Sequence, residues 1–175
     1  MILTGPEIHR QIGLGRIIIE PYDPANINPN SYNFHLGRSI KIYDEAVLDP
    51  SRPNAFHEIE IPKSGLMLRP ERLYLGHIEE QIGSEWYVPI MRGRSSIGRL
   101  GIFINITSDL VDLGAIGRWT MQLHAVQPAR IYTGMSIGQM TFWEVLGKRR
   151  LYHGKYQGAT GPGESLAHRD FNVKT

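Results

Sequence analysis

Residues 117–126, GRWTMQLHAV, alternate polar and apolar side chains: Arg118, Thr120, Gln122 and His124 fall on one side, and Trp119, Met121, Leu123 and Ala125 on the other. A period of two with a single apolar face is the pattern of a half-buried β-strand. An uncharged glutamine in the middle of the polar face raises the question of what that face meets.

Runs of similar texture fill most of the chain: RIIIEP, YNFHLG, SIKIYD, HEIEIP, RLYLGHI, WYVPIM, IFINIT, ARIYTG and GQMTFWEVL. Turn residues separate them, and no alternation of strand with helix suggests a parallel sheet, so the pattern predicts an all-β barrel or sandwich. One short helix is expected at the start. In TGPEIHRQIGLG, Thr4 and Glu7 have capping-box spacing, Pro6 lies in the first turn, and Gly13 and Gly15 are stop signals. The segment DPANINPN reads as a turn-rich connection, and there is no internal repeat.

With 175 residues, the chain is long enough for one well-buried core and short for two. We therefore expect one domain over residues 1–151, with 152–175 as a tail of the same domain. The tail is rich in glycine and polar residues and has no apolar period, so by itself it reads as mobile. A formal net charge of +2, with the signs mixed along the chain, gives no basic stripe for duplex nucleic acid. No cysteine is present, which excludes a disulfide framework and a thiolate zinc site, and the histidines lack metal-ligand spacing. No apolar run approaches a membrane span, and the N-terminus lacks the pattern of a secretory leader, so the expectation is a cytoplasmic protein without membrane contact.

Two stretches could carry chemistry. MRGRSSIGRLG, residues 91–101, gathers Arg92, Arg94, Arg99, Ser95, Ser96 and three glycines. Guanidinium groups, hydroxyls and free backbone N–H groups are what phosphate oxygens require, although the same residues also read as a polar turn with its arginines in water. SDLVDLGAIG, residues 108–117, seats Asp109 and Asp112 just before the opening strand. A carboxylate there could orient a water or a sugar hydroxyl, or simply serve the turn.

Taken in order, these segments resemble the dCTP deaminases, which share a superfamily with the trimeric dUTPases. The opening MILTGPEI…GRIIIEP is similar to that family's start, and NPNSYNFHLG to its P-x-S-x-D-hydrophobic-x-L-G segment. GRSSIGRLG resembles its nucleotide-binding signature, VDLGAIG its D-P-G-aromatic-x-G turn, and GKYQGATGP its closing segment.

The resemblance implies a distorted jelly-roll-like dUTPase-type β barrel, assembled as a homotrimer with active sites shared between subunits. It implies a pyrimidine nucleoside triphosphate as ligand, with magnesium on the triphosphate. Arg94, Ser95, Ser96 and Arg99 would contact phosphates and help polarise the base, and Asp112 would sit against the sugar. Tyr152, Lys155 and Tyr156 would come from the tail, closing over the triphosphate.

The chain departs from the family pattern at four places. The glutamate that shuttles protons during deamination is replaced by Gln122, and an amide has no proton to trade near neutral pH. The aromatic residue of the D-P-G turn is Ala115, with Leu113 in place of the proline, which would leave room for a ribose hydroxyl. Asn33 stands where an aspartate is expected, and Ala159 where a glutamine is. His124, two residues from Gln122 on the same strand face, could do acid-base work or be a satisfied interface histidine.

The expected function is therefore hydrolytic deamination of a cytosine nucleotide, dCTP to dUTP or a ribo or base-modified analogue. A dUTPase-type pyrophosphatase using Asp112 and magnesium is the first alternative, and a catalytically silent nucleotide-binding trimer the second.

Overall fold

The computed structural model describes residues 1–171. Helix α1 (Gly5–Gly13) precedes nine short strands: β1 (Ile18–Glu20), β2 (Ile27–Asn28), β3 (Ser31–His35), β4 (Ser39–Tyr43), β5 (Phe56–Glu60), β6 (Leu66–Leu68), β7 (Tyr74–His77), β8 (Gln81–Gly83) and β9 (Tyr87–Gly93). A single-turn helix, α2 (Ser95–Gly98), follows, and then β10 (Ile102–Phe103), β11 (Ile116–Gly117), β12 (Thr120–Ala125), β13 (Ala129–Ile131), β14 (Ser136–Glu144) and α3 (His168–Phe171).

The opening stretch forms β12, and its alternation appears directly as burial. Met121, Leu123 and Ala125 have no accessible surface, whereas Thr120, Gln122 and His124 are half-buried on the other face. β12 lies within a five-stranded sheet of order β10-β12-β7-β4-β5, which packs its apolar face toward a four-stranded sheet, β2-β3-β14-β9. Tyr32, Phe34, Met140 and Phe142 from the second sheet join Ile40, Met121 and Leu123 from the first in one fully buried cluster. Smaller sheets, β1-β8-β11 and β13-β6, complete the mostly β architecture, and every strand pairing is antiparallel.

Pairing register fixes what shares the polar face. Gln122 pairs with Leu75 and Leu75 with Lys41, so these three side chains form one row across β12, β7 and β4. Thr120 pairs with His77 in the adjacent row. His77 is buried and donates Nδ1–H to the carbonyl of Ile78 at 2.8 Å, and burial holds its pKa below the ordinary value.

Three local expectations are corrected. Thr4 is the N-cap of α1, but its side chain makes no capping bond, and Glu7 does not reach back to it either, turning to Arg10 (2.6 Å) and Gln11 (2.6 Å). A charge-assisted pair with Arg10 satisfies that carboxylate better than a backbone N–H alone. The Arg-Ser stretch, readable as a polar turn, is instead one turn of helix over residues 95–98, with Ile97 buried beneath it.

The tail is the third correction. Over its described part it lies bonded along the barrel, and positions 172–175 fall outside the described residues. Tyr152 donates its N–H to Leu113 O (2.8 Å), Arg118 to Ala159 O (2.7 Å) and Gly158 to Ile116 O (3.1 Å). Gln157 accepts from Ile116 N and donates to Gly114 O, and Gly163 N donates to Thr120 Oγ1 at 2.8 Å. Three of these bonds join backbone groups alone and the others use single polar side chains, so the docking needs no apolar periodicity. Gly117 permits the approach: a Cβ there would lie 2.9 Å from Ala159 N.

Candidate functional site

Between the polar face of β12 and the docked tail lies a cavity of about 500 Å³. Thr120 and Gln122 form its floor with Leu75, while Asp112 and Ala115 come from the turn before β11. Tyr152, Tyr156, Ala159, Gly163, Glu164 and Ser165 close it from the tail, and Tyr43 lines it from β4. Its volume lies within the roughly 300–1,000 Å³ usual for small-molecule sites, and its lining mixes apolar walls with a few polar groups.

The turn carrying Asp112 is built locally. Ala115 N donates to Asp112 O at 3.0 Å, Gly114 adopts a left-handed φ of 85°, and its N–H is held by Ser84 O at 2.8 Å. The structure separates the two aspartates of this stretch: Asp112 lines the cavity, whereas Asp109 pairs with Arg92 at 3.0 Å. Ala115 is 2% exposed and presents only a methyl group to the cavity wall.

Gln122 sits in the floor with an unmet requirement. Its Oε1 is out of solvent and has no hydrogen-bond partner among the described residues. A buried acceptor left unpaired costs about 1–3 kcal/mol, so a donor supplied from outside this chain's own fold would be bound favourably there.

Glu164 brings a second carboxylate. Its Oε2 accepts from Lys41 Nζ at 2.6 Å, and that bond holds the Glu164 carboxyl below the usual carboxylate range. The backbone on either side is fixed: Gly163 is bonded to Thr120, and Ser165 N donates to Tyr43 OH at 2.8 Å. Tyr156 OH accepts from Leu166 N, and Tyr152 OH from Tyr156 N, so both tail tyrosines are held by bonds within the tail.

Of the residues expected from the sequence, Asp112, Ala115, Gln122, Tyr152 and Tyr156 are brought together here. Arg94, Ser95, Ser96 and Arg99 are not: they cluster on α2 and its flanks, with Ser95, Ser96 and Arg99 exposed, and none lines this chain's cavity. His124 is also outside the cavity lining, its ring 6.3 Å from that of Phe103. Lys155 pairs with Asp170 at 2.5 Å rather than reaching into the cavity. Asn33 exchanges amide hydrogen bonds with Asn28 and is likewise not on the lining.

Sequence reasoning missed Lys41, Tyr43 and Glu164. The first two carried a signal, because SIKIYD alternates Ser39, Lys41 and Tyr43 against Ile40 and Ile42, the same period as the opening stretch. Glu164 carried none, lying in a Gly-Pro-rich segment without periodicity.

Comparison with known proteins agrees with this architecture. A family model described as "dCTP deaminase-like" matches residues 2–145. The chain is 44% identical over 172 residues to the "dCTP deaminase, dUMP-forming" of Clostridium beijerinckii, covering 98% of this chain and 99% of the relative. It is 44% identical over 171 residues to the "dCTP deaminase" of Rhodopirellula baltica, covering 97% and 86%. The fold is similar to that of the 2'-deoxycytidine 5'-triphosphate deaminase from Agrobacterium tumefaciens, with a TM-score of 0.64 at 20% identity over 81% of this chain and 47% of that one. With a family model spanning most of its length and relatives of this identity over nearly all of it, the chain belongs to the dCTP deaminase-like family.

Proposed function

We propose that the cavity binds a pyrimidine nucleoside triphosphate and that the chain hydrolyses a cytosine nucleotide, dCTP or a ribo or base-modified analogue, with release of ammonia. The observation that carries this reading is the cavity itself: it joins a polar strand face, a turn carboxylate and two tail tyrosines around a space of about 500 Å³. Family membership and the names of the relatives support the base and the reaction.

In this reading the base lies over Gln122 and the sugar against Asp112 and Ala115. The phosphates are met by Arg94, Ser95, Ser96 and Arg99 of a neighbouring copy, because in one chain these residues stand apart from the cavity. A homotrimer with shared sites is therefore part of the proposal, as is the cytoplasmic location. Among the described residues no helix is long and apolar enough to cross a membrane.

Magnesium is read as arriving with the triphosphate. The described residues contain no group of three or more His, Asp or Glu side chains able to hold an ion by themselves. Phosphate oxygens would supply most of the ligands, and the ion would neutralise charge on the phosphates.

A second reading, diphosphate release in the dUTPase manner, is favoured by Asp112 lining the cavity and by the words "dUMP-forming" in the names of relatives. It requires no acid at position 122. The test of both is a product screen with dCTP, CTP, dUTP and UTP in the presence of magnesium, measuring ammonia and diphosphate together. Ammonia from a cytosine nucleotide supports the first reading, and diphosphate without ammonia supports the second. A triphosphate that binds and gives neither product would leave the chain as a nucleotide-binding regulator.

Ala115 makes a further expectation concrete. Ala115→Phe would fill the wall beside the proposed sugar position and lower kcat/KM for ribonucleotides relative to deoxyribonucleotides by about tenfold, the scale of a 1–3 kcal/mol steric discrimination. Equal loss on both sugars would place the ribose elsewhere.

A further inference from the structure

An amide at position 122 leaves the proposed deamination without the group that moves its protons. The cavity contains two carboxylates, Asp112 and Glu164. Asp112 belongs to the turn beside Ala115, which the proposed function assigns to the sugar. We propose that Glu164, carried into the cavity by the tail, moves the protons of this reaction in place of the residue at position 122. The inference rests on the reading of the cavity as a cytosine nucleotide site.

Three features place it there. Glu164 and Gln122 line the same cavity. Its partner Lys41 stands in the same cross-strand row as Gln122, with Leu75 between them, so the two outer residues are about 9–10 Å apart at their backbones. The residue before Glu164 is bonded to Thr120, the neighbour of Gln122 on the same strand face, about 6.5–7 Å along β12. The carboxylate of Glu164 and the row that carries Gln122 thus border one space. His124 has no comparable placement, being outside the cavity lining and beside Phe103.

The chemistry balances with water alone. Glu164 takes one proton from water as the water oxygen bonds to C4 of the cytosine ring, and delivers that proton to N3. It then takes the remaining proton from the C4 hydroxyl and gives it to the exocyclic nitrogen. The C4–N bond breaks, C4 becomes a carbonyl, ammonia leaves, and the carboxylate is regenerated. Lys41 positions the group and keeps it ionised at neutral pH, so it enters the cycle as a base. The unpartnered Gln122 Oε1 suits a separate role, accepting a hydrogen bond from the N–H groups at the base edge.

The test compares the parent chain with Glu164→Gln, Glu164→Asp and Gln122→Glu/Glu164→Gln. It measures ammonia release from dCTP, CTP and a 5-substituted analogue, with melting temperature and calorimetric nucleotide binding as controls. Glu164→Gln should lower kcat by about 10²–10⁴-fold, the usual contribution of a placed proton-transfer group, with KM changed less than about threefold. Glu164→Asp should retain part of the rate, and restoring an acid at position 122 should recover at least about tenfold over Glu164→Gln. A Glu164→Gln variant within about threefold of the parent would overturn the role of Glu164 and leave the deaminase reading intact. A parent chain that binds these nucleotides and releases no ammonia from any of them would overturn the deaminase reading, and this role with it.

Discussion

Removal of residues 152–175 should raise KM for the nucleotide by about 10²-fold or more while leaving the barrel folded. The tail supplies Tyr152, Tyr156, Ala159, Gly163, Glu164 and Ser165 to the cavity wall. The buried core, in contrast, draws on residues from Leu3 to Phe142 and on nothing from the tail. Losing the tail therefore removes contacts to a bound ligand without opening the apolar cluster. Each 1.4 kcal/mol of lost binding is tenfold, and two or three lost hydrogen bonds reach about 10²-fold on that scale. Water would also enter the site and weaken the interactions that remain. Steady-state kinetics beside a thermal melt separates the effects: a large change in KM with a small change in Tm is expected, and kcat for ammonia release should fall as well because Glu164 goes with the tail. An unchanged KM would mean that the nucleotide binds away from the tail.

Asp112→Asn is the second large expected effect. Asp112 is the cavity carboxylate on the turn before β11, and it differs from Glu164, which is held by Lys41, and from Asp109, which is held by Arg92. In the diphosphate-releasing reading it orients the attacking water, and its amide cannot take a proton or draw the water toward phosphorus in the same way. Diphosphate release should fall by about 10²–10⁴-fold, the range for a positioned general base. The amide keeps the shape of the carboxylate, so nucleotide binding by calorimetry should change by less than about tenfold. Diphosphate release unchanged in the variant would remove Asp112 from that role. The pair Asp112→Asn and Glu164→Gln also tests whether the two carboxylates serve separate reactions, the first acting on diphosphate and the second on ammonia.

Much of this site is legible in the sequence where a period reports a face. The alternation in GRWTMQLHAV gives β12, its buried side and its polar side, and the same reading of SIKIYD brings Tyr43 to the cavity and Lys41 to the carboxylate of Glu164. Asp112 and Ala115 are found through a turn that glycine marks. The position of the tail is not legible in this way, because it docks through backbone groups and single polar side chains that follow no period, and Gly117 shows its purpose only once Ala159 lies against it. The helical turn at Ser95–Gly98 escaped for a related reason: it buries one side chain, Ile97, and a single apolar residue has no period. Glu164 acquires meaning only from its partners Lys41 and, through Gly163, Thr120, which are 123 and 43 residues away in the chain from the groups that hold them.

The most direct measurement of the central claim is amide hydrogen exchange on the full chain, with and without dCTP and magnesium. A nucleotide enclosed between β12 and the tail should slow exchange at Arg118, Gly158 and Gly163, whose N–H groups join tail to barrel. Slowing of about tenfold or more at these three amides is expected, with Ile8 in α1 unaffected. Nucleotide binding that leaves the three amides unchanged, or protects only residues outside the cavity, would contradict it.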